Sequence, residues 1–250
     1  MKLDLSNKTV LITGGSRGIG ASCVKLFSEA GANVSFTYIR AKERVDELIE
    51  QYGPNVKAYK VDMQLEDELN NWVKQTAEDF GSADILVHNA GIWNDGELEK
   101  MTLEHWRELL RINLDSMFVL TKAVVPYMKK NNWGRVIHVS STAGQRGEAF
   151  HSHYAASKGG MISFTKSMSS ELGPNGITTN SVAPGWVDTE MNTEVFADKE
   201  YKEQIREDIP VGRIATADDI AYPILFLATD WARHINGEIL NVNGGSVLVG

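Results

Sequence analysis

The sequence feature that most constrains the fold lies near the start of the chain, where an apolar run passes through glycines into a helical pattern. Residues 9–13, Thr-Val-Leu-Ile-Thr, are apolar enough for a buried parallel strand. The turn at residues 14–20 follows, and apolar residues then recur at helical spacing as far as Gly31. Glycines let a backbone approach a pyrophosphate, which then lies at the helix N-terminus. The spacing Gly-x-x-x-Gly-x-Gly differs from the usual dinucleotide fingerprint, but its context predicts a phosphate-binding turn.

Strand and helix patterns continue to alternate along the rest of the chain. Strands are predicted at residues 9–13, 33–38, 56–61, 84–87, 135–139, 177–182 and 238–242. Helices after the first are predicted at residues 41–51, 65–80, 102–130, 152–172 and 217–228. Strands separated by helices require a parallel sheet that is covered on both faces. With no linker, repeat or low-complexity tract, residues 1–250 are predicted to form one α/β domain, a Rossmann-type doubly wound parallel sheet of about seven strands.

Composition excludes several classes of protein. The apolar fraction of 42% and the charged fraction of 23% are typical of a folded globular chain, and a net charge of -8 argues against a nucleic-acid partner. The single cysteine, Cys23, cannot form an internal disulfide, and no Cys/His cluster has metal-ligand spacing. No apolar run approaches the roughly 20 residues of a membrane span, and the N-terminus leaves no room for a signal peptide. We therefore expect a cytoplasmic protein that binds neither metal nor membrane.

Tyr154 and Lys158 are the residues around which the candidate chemistry is organised. They are four residues apart, so on a helix they lie on the same face, one turn from each other. A free tyrosine has a pKa of roughly 10, and an ammonium within a few ångströms favours the phenolate and lowers that pKa. Tyr154 is therefore predicted to be a general acid or base for a carbonyl/alcohol pair. Taken alone, the pair could equally be a chance surface feature of a helix.

Ser141 is a third candidate for the same site. It lies thirteen residues before Tyr154, just after the strand predicted at residues 135–139. A hydroxyl at the carboxyl end of a parallel strand faces the crevice where doubly wound sheets bind their ligands. There it could donate a hydrogen bond to an oxygen whose charge changes during the reaction. The neighbouring Ser140 is the alternative, and the thirteen-residue offset favours Ser141.

With these motifs in register, the chain resembles the short-chain dehydrogenase/reductase family over essentially its whole length. The matching motifs are Thr13-Gly14-x-x-x-Gly18-x-Gly20, His88-Asn89-Ala90-Gly91, the set Asn113, Ser141, Tyr154 and Lys158, and Asn180-x-Val182-Ala183-Pro184-Gly185. In the second motif the family has asparagine where this chain has His88. Each motif alone is weak, and together they are specific.

The resemblance implies a role for each member of the catalytic set. Tyr154 would give a proton to the substrate oxygen as hydride arrives from the nicotinamide, or take it in the reverse direction. Ser141 would orient and polarise that oxygen. Lys158 would hold the nicotinamide ribose and keep the phenol acidic. Asn113 would position a water that links Lys158 to bulk solvent.

The resemblance also implies a nicotinamide dinucleotide, and the sequence favours NADP(H) over NAD(H). The predicted cofactor contacts are Gly14, Ser16, Arg17, Gly18, Ile19, Gly20, Tyr38, Arg40, Asp62, Met63, Asn89, Ala90, Gly91, Tyr154, Lys158, Pro184, Gly185, Val187 and Thr189. NAD-dependent enzymes usually place an acidic residue where this chain has Tyr38. Arg17 and Arg40 suit a 2′-phosphate, since arginine binds phosphate bidentately; otherwise both are solvated charges. Asp62 would contact the adenine or else cap a turn.

Substrate contacts are predicted on three segments, residues 91–97, 143–153 and 186–210, the last of which would act as a lid. The candidate residues are Trp93, Ser141, Arg146, His151, Tyr154, Trp186 and Met191. The alternative for His151 is a polar loop residue without a catalytic role.

Within the family, the sequence most resembles the 3-oxoacyl-acyl-carrier-protein reductases, which implies a ketoreductase acting on a 3-oxoacyl thioester. Such reductases tend to dock their acidic carrier on arginines where this chain has Asn132 and Asn175, and a net charge of -8 opposes that docking. A small-ketone reductase and a glucose-type sugar dehydrogenase are the alternatives, with a non-catalytic dinucleotide sensor more distant. The likeness also implies a homotetramer that pairs the helices at residues 102–130 and 152–172, which otherwise only cover the core.

Overall fold

The computed structural model describes residues 3–249. Its centre is a seven-stranded sheet with the order β3-β2-β1-β4-β5-β6-β7, in which every neighbouring pair is parallel. The strands are β1 Thr9–Ile12, β2 Asn33–Tyr38, β3 Val56–Lys60, β4 Ile85–His88, β5 Gly134–Val139, β6 Ile177–Pro184 and β7 Ile239–Val242. The chain order reverses between β1 and β4, so a ligand crevice opens there at the carboxyl ends of the strands. The predicted fold class is confirmed.

Within the described residues, ten α-helices cover the two faces of the sheet. They are α1 Gly18–Glu29, α2 Lys42–Tyr52, α3 Glu66–Phe80, α4 Leu103–Leu110, α5 Ser116–Asn131, α6 Thr142–Arg146, α7 Ser152–Leu172, α8 Thr193–Ala197, α9 Lys199–Asp208 and α10 Ala217–Leu227. A π-helical turn, Arg111–Asp115, joins α4 to α5. Short 3-10 turns lie at Gly53–Asn55, Gly173–Asn175, Glu190–Asn192 and Asp230–Ala232.

Two apolar cores lie on opposite faces of the sheet, and β1 contributes to both. Val10 and Ile12 pack with Phe27 of α1 in one core, whereas Leu11 packs with Trp72 of α3 in the other. Successive side chains of a strand point to opposite faces, so a strand buried on both sides must be apolar at every position. The continuous run after Lys8 therefore makes β1 a central strand, and this places the glycine turn in the middle of the crevice.

Three segments differ from the prediction. The helix expected at residues 102–130 is interrupted by the π-helical turn, and residues 142–146 form the short helix α6. Residues 193–208 form α8 and α9, which charge and weak periodicity did not reveal.

Two features are absent from residues 3–249. In that part of the chain no helix is both long enough and apolar enough to cross a bilayer. The same residues bring together no group of three or more His, Cys, Asp or Glu side chains able to hold a metal ion.

Candidate active site

The turn between β1 and α1 presents an open helix N-terminus to the crevice. Gly14 and Gly18 adopt φ of 67° and 52°, a left-handed conformation that glycine enters without strain. A side-chain β-carbon at Gly20 would lie 2.1 Å from the Gly14 carbonyl oxygen, so only glycine lets the turn close this tightly. The N-cap residue Arg17 provides no side-chain hydrogen bond to α1, and the first turn carries no acidic residue. The free N–H groups and the helix dipole therefore favour an anion here.

Hydroxyl and amide groups tie this turn to the neighbouring strands. The Thr13 hydroxyl accepts hydrogen bonds from the backbone N–H groups of Asn89 (2.9 Å) and Ala90 (2.8 Å). The Asn89 side chain donates in return to the Thr13 carbonyl at 3.0 Å. On the other side, the Gly14 N–H donates to the Thr37 hydroxyl at 3.1 Å. These bonds hold the ends of β1, β2 and β4 together. Neither Thr13 nor Thr37 was predicted as a site residue, although Thr13 belongs to the first motif.

Ser141 and Tyr154 meet at the end of β5. Ser141 is the N-cap of α6, and its hydroxyl accepts a hydrogen bond from the Ala143 N–H at 3.1 Å. Helix α6 packs so closely on α7 that a β-carbon at Gly144 would lie 2.6 Å from the Lys158 carbonyl carbon. This packing places the Ser141 hydroxyl near enough to the Tyr154 phenol to lower the pKa of that phenol. The alternative, Ser140, points away, because its hydroxyl donates to the Val182 carbonyl at 3.0 Å.

Lys158 is buried next to the tyrosine, with only 4% of its surface exposed. Its ammonium donates to the Val139 carbonyl at 2.7 Å and lies 5.7 Å from the centre of the Tyr154 ring. Burial lowers the pKa of Lys158 to about 8, because a charged ammonium loses hydration there.

The pKa of Tyr154 moves in the direction opposite to the one predicted. Burial raises it to about 12; the Ser141 hydrogen bond lowers it, and the Glu148 carboxylate raises it further. Lys158 does not overcome the loss of hydration, because its own pKa of about 8 lies below that of the phenol and its charge is largely lost before the phenol ionises. The prediction that Lys158 lowers the pKa of this phenol is wrong for the chain alone. Tyr154 is therefore protonated near neutral pH, the state that a proton donor requires.

Asn113 lies at the centre of the π-helical turn and is fully buried. Its side-chain amide donates to the Ile92 carbonyl at 3.0 Å and to the Ser157 hydroxyl at 3.2 Å, and its carbonyl oxygen accepts from the Ile92 N–H at 2.9 Å. A β-carbon placed on Gly91 would lie 3.2 Å from that oxygen and 3.6 Å from the Lys158 ammonium nitrogen. Asn113 and Lys158 therefore face the same space above Gly91. The oxygen retains one lone pair for a further donor.

The remaining predicted cofactor residues line the same edge of the sheet, with some differences in their contacts. Ser16, Ile19, Tyr38, Pro184, Gly185 and Val187 lie in or beside the turns that follow β1, β2 and β6. Thr189 contacts the position of a Gly18 β-carbon at 3.3 Å, so the segment after β6 reaches the phosphate turn. The Asp62 carboxylate accepts from the Gln64 N–H at 2.9 Å, the turn-capping alternative, and Met63 is buried in the second core.

Arginines lie in the phosphate turn and in the segments that follow β2. Arg40 is exposed in the segment between β2 and α2. Arg44, which was not predicted as a site residue, forms an ion pair with Glu190 of the segment after β6. Burial alone would raise the pKa of Glu190, but a hydrogen bond from the backbone, Arg44 and Arg17 together lower it. Glu190 thus lies in the field of two guanidinium groups.

Aromatic rings form one wall of the candidate substrate site. Trp93 stacks on His151 with ring centres 4.3 Å apart, and Trp186 meets Trp93 edge-on at 6.2 Å. His151 also lies 2.9 Å from the Asp95 carboxylate. The other two candidates lie apart from this group: Arg146 is exposed and donates to the Gly147 carbonyl at 3.3 Å, and Met191 is 45% exposed. The structure therefore brings Trp93, His151 and Trp186 together and leaves Arg146 and Met191 at the surface.

These features define a class of protein. A phosphate turn lies at the switch point of a parallel sheet, and a serine, a protonated tyrosine and a buried lysine lie at the same edge. The first suits the diphosphate of a dinucleotide, and the second suits proton transfer to a carbonyl oxygen. Together they define a dinucleotide-dependent oxidoreductase.

Comparisons with known proteins identify the family. Residues 14–246 match the family model described as enoyl-(acyl carrier protein) reductase. The chain belongs to the short-chain dehydrogenase/reductase family, and it is an oxidoreductase that interconverts a ketone and a secondary alcohol.

Full-length relatives support this membership. The 3-oxoacyl-(acyl-carrier-protein) reductase FabG of Aquifex aeolicus is 38% identical over 250 residues, which cover 98% of this chain and 99% of the relative. The protein of the same name from Vibrio cholerae is 39% identical over 247 residues, covering 99% and 100%. That from Staphylococcus epidermidis is 36% identical over 245 residues, covering 97% and 100%.

Proposed function

We propose that the chain is a cytoplasmic NADPH-dependent reductase of 3-oxoacyl thioesters. The observation that carries this proposal is the arrangement of Ser141, Tyr154 and Lys158 beside the phosphate turn, with the phenol protonated. The names of three relatives that match over almost their whole length point to the same substrate class.

The catalytic residues divide the work of ketone reduction. NADPH, when bound, supplies the hydride. Tyr154 transfers its phenolic proton to the ketone oxygen as negative charge develops there. Because its pKa is about 12, the phenol is protonated at neutral pH before the reaction. Ser141 donates a hydrogen bond to the same oxygen. Lys158, with its pKa of about 8, returns a proton to Tyr154 through the space that it shares with Asn113.

The nucleotide is held by groups that fit it. The open N-terminus of α1 and the tight packing at Gly20 give the diphosphate room and unpaired N–H donors. The cofactor is NADPH: the residue at Tyr38 is not a carboxylate, Arg17 and Arg44 both act on Glu190 beside the turn, and Arg40 is exposed just after β2. A guanidinium group binds a 2′-phosphate through paired hydrogen bonds.

Whether the chain binds an acyl-carrier protein is a separate question from the reaction that it catalyses. Asn132 ends α5 with φ of 48°, and Arg135 is buried against Asp230 at 3.0 Å, so it is not free to bind a carrier. Lys129 and Lys130 remain in the last turn of α5. We propose that the chain reduces the 3-oxoacyl thioester itself and binds the carrier protein weakly.

A panel of substrates tests the proposed function. Initial rates of NADPH oxidation would be compared for a 3-oxoacyl thioester on pantetheine, the same acyl group on acyl-carrier protein, a β-keto ester and a simple ketone. With glucose, the rate of NADP⁺ reduction would be measured. We expect the two thioesters to give the highest kcat/KM, within about tenfold of each other, since rim charges contribute little to affinity. A higher kcat/KM for a simple ketone or for glucose would overturn the proposal.

The family description supplies a second candidate, reduction of an enoyl thioester. That reaction adds hydride to the β-carbon of the double bond and a proton to the α-carbon, whereas ketone reduction adds hydride to the carbonyl carbon and a proton to its oxygen. The Ser141–Tyr154 pair supplies a proton and a hydrogen bond to one oxygen, which favours the ketone. A 2-enoyl thioester belongs in the same panel, and a higher kcat/KM for it than for the 3-oxoacyl thioester would replace the first proposal by this one.

We further propose that residues 186–210 act as a lid and that the chain is a homotetramer. The two aromatic side chains Phe118 and Phe164 pack edge-on where α5 meets α7, and Phe118 is 51% exposed. An exposed aromatic side chain on a long helix, beside a second ring from the neighbouring helix, suits pairing with a second copy. Light scattering on Phe118→Glu and on the parent chain tests this: a tetramer that dissociates supports it, and a parent monomer contradicts it.

A further inference from the structure

A buried histidine contacts the turn that carries Asn113. His88 is fully buried at the end of β4, and its Nε2 lies 2.9 Å from the Ser116 hydroxyl. That hydroxyl donates its own hydrogen to the Ile112 carbonyl at 2.6 Å. Since a serine hydroxyl has one hydrogen, it must accept from His88. His88 is therefore the tautomer that carries its proton on Nε2.

The Ser116 side chain satisfies a carbonyl that the π-helical turn would leave without its usual partner. In a regular α-helix the Ser116 N–H would bond to the carbonyl of Ile112, four residues earlier. Here it bonds instead to the carbonyl of Arg111, five residues earlier. The Ser116 hydroxyl takes the place of that N–H on Ile112. This bond gives the part-buried Ile112 carbonyl a donor, and we take it to stabilise the widened turn.

The widened turn determines where Asn113 lies. Asn113 occupies its centre and reaches Ile92 on one side and Ser157 on the other. Ser157 in turn donates to the Tyr154 carbonyl at 2.8 Å, which links the turn to the helix that carries the catalytic tyrosine. A change in the hydrogen-bond pattern of the turn would rotate Asn113 away from the space above Gly91.

We propose that His88 and Ser116 are positioning residues, which hold the π-helical turn in the form that places Asn113 beside Lys158. This inference rests on the proposed reductase function. It assigns a role to the one position where the second motif of this chain departs from the family pattern. His88 acts through Ser116 and touches no reacting atom.

A second histidine in the adjacent strand provides a matched control. His138 pairs with His88 in the register of β4 and β5, and its Nδ1 lies 2.9 Å from the Thr165 hydroxyl. Thr165 donates to the Met161 carbonyl four residues earlier, at 2.9 Å. The bonds repeat those of His88, Ser116 and Ile112, except that the Nε2 of His138 also lies 3.4 Å from the Thr121 hydroxyl. Thr165 lies inside the α-helix α7, outside the π-helical turn. Burial lowers the pKa of both histidines, to about 3 for His138, so both are neutral.

The test compares Ser116→Ala with Thr165→Ala in the full chain. Each variant removes the hydroxyl that accepts a hydrogen bond from a buried histidine, so both should lose thermal stability, Thr165→Ala less because His138 keeps its Thr121 neighbour. Only Ser116→Ala should lower kcat for the 3-oxoacyl thioester, by about tenfold, which is the effect of one lost hydrogen bond, with the Kd for NADPH unchanged. Ser116→Thr, which keeps the hydroxyl, should restore kcat. In an Asn113→Ala background, Ser116→Ala should cause no further loss.

Two outcomes would overturn the proposal: equal kcat values for Ser116→Ala and Thr165→Ala, or an undiminished effect of Ser116→Ala in the Asn113→Ala background. Hydrogen exchange separates this failure from a failure of the proposed function, because it needs no substrate. Exchange of the Asn113 side-chain amide and the Ser116 N–H should accelerate in Ser116→Ala and stay unchanged in Thr165→Ala. If exchange of these two groups were unchanged in both variants, the positioning role would be wrong even if the chain proved to be a reductase.

Discussion

The two sides of the crevice are constructed by different means. On the nucleotide side, the turn after β1 is made of glycines and backbone hydrogen bonds, and its anion preference comes from unpaired N–H groups. On the catalytic side, Tyr154, Lys158 and Asn113 place polar atoms where water is largely excluded, and two of the three are buried outright. The first side depends on shape and the second on desolvation.

This difference separates the expected effects of substitutions. A side chain added on the nucleotide side obstructs the cofactor, so it should change the Kd for NADPH. A group removed on the catalytic side alters proton transfer after the cofactor has bound, so it should change kcat. Measuring Kd and kcat for each variant therefore tests whether cofactor binding on one side and proton transfer on the other can be changed separately.

The largest effect is expected for Tyr154→Phe, which removes only the phenolic hydroxyl. The proton donor is lost, and kcat should fall by about 10³-fold, within the range of general acid catalysis. The Kd for NADPH, measured by fluorescence titration, should stay within about twofold, because the ring remains. A variant that reduces its ketone at near-parental speed would show that another group supplies the proton.

Local sequence patterns were sufficient for the fold, and they also nominated the members of the candidate site. The glycine turn could be predicted because strand, turn and helix are adjacent in the chain, and Ser141 because thirteen residues separate it from Tyr154. The π-helical turn could not, since it differs from an α-helix only in which carbonyl the Ser116 N–H contacts. That choice depends on His88, twenty-eight residues earlier and on another element.

The pKa of Tyr154 shows the same limit more clearly. The four-residue spacing correctly brought Lys158 near the phenol, but spacing carries no information about burial. Burial depends on how α6 packs against α7, and the Val139 carbonyl that binds the ammonium comes from a strand. Sequence could therefore identify the partners in the interaction but not the direction of the shift.

Gly20→Ala should give the next largest effect, on the nucleotide side. A β-carbon 2.1 Å from the Gly14 carbonyl forces the turn open, because the neighbouring atom is backbone and cannot move alone. We expect the Kd for NADPH to rise about 100-fold, equivalent to about 3 kcal/mol, with little change in kcat at saturating NADPH. Gly53→Ala is the matched control for adding a methyl group, since no atom lies within 4 Å of that position, although its φ of 74° adds local strain.

A kcat loss in Gly20→Ala at saturating NADPH would break the separation between the two sides. It would mean that the position of the phosphate turn is transmitted to Tyr154.

Arg40→Ala should produce a smaller effect, restricted to one cofactor. Loss of a charge-assisted hydrogen bond to the 2′-phosphate should weaken NADPH binding by about tenfold and leave NADH within about twofold. Arg44→Ala should be measured alongside it, because the Arg44 guanidinium is paired with the Glu190 carboxylate. Isothermal titration with both cofactors gives the comparison. Equal losses for NADPH and NADH in both variants would contradict the 2′-phosphate role.

The smallest effect is expected for the stability of Lys158→Met, on the catalytic side. Its sign is unusual, because removing this catalytic residue should make the fold more stable. Activity should be lost, yet the free energy of unfolding at pH 7 should rise by about 1–2 kcal/mol. The shift of the Lys158 pKa from 10.5 to about 8 corresponds to roughly 3 kcal/mol of destabilisation by the buried charge. Leaving the Val139 carbonyl unpaired offsets about 1–2 kcal/mol of that gain.

The pH dependence distinguishes this cause from better packing of methionine. Between pH 8 and pH 10.5 the unfolded parent chain binds more protons at Lys158 than the folded chain does, so its stability at this site rises with pH. The advantage of Lys158→Met should therefore shrink across that window and reverse above it, where the lysine is neutral in both states. Urea unfolding at pH 7, 9 and 10.5 measures the difference. If Lys158→Met were more stable than the parent by the same amount at all three pH values, burial would not be penalising the lysine charge. Desolvation would then contribute less to the catalytic side than the burial of Lys158 indicates.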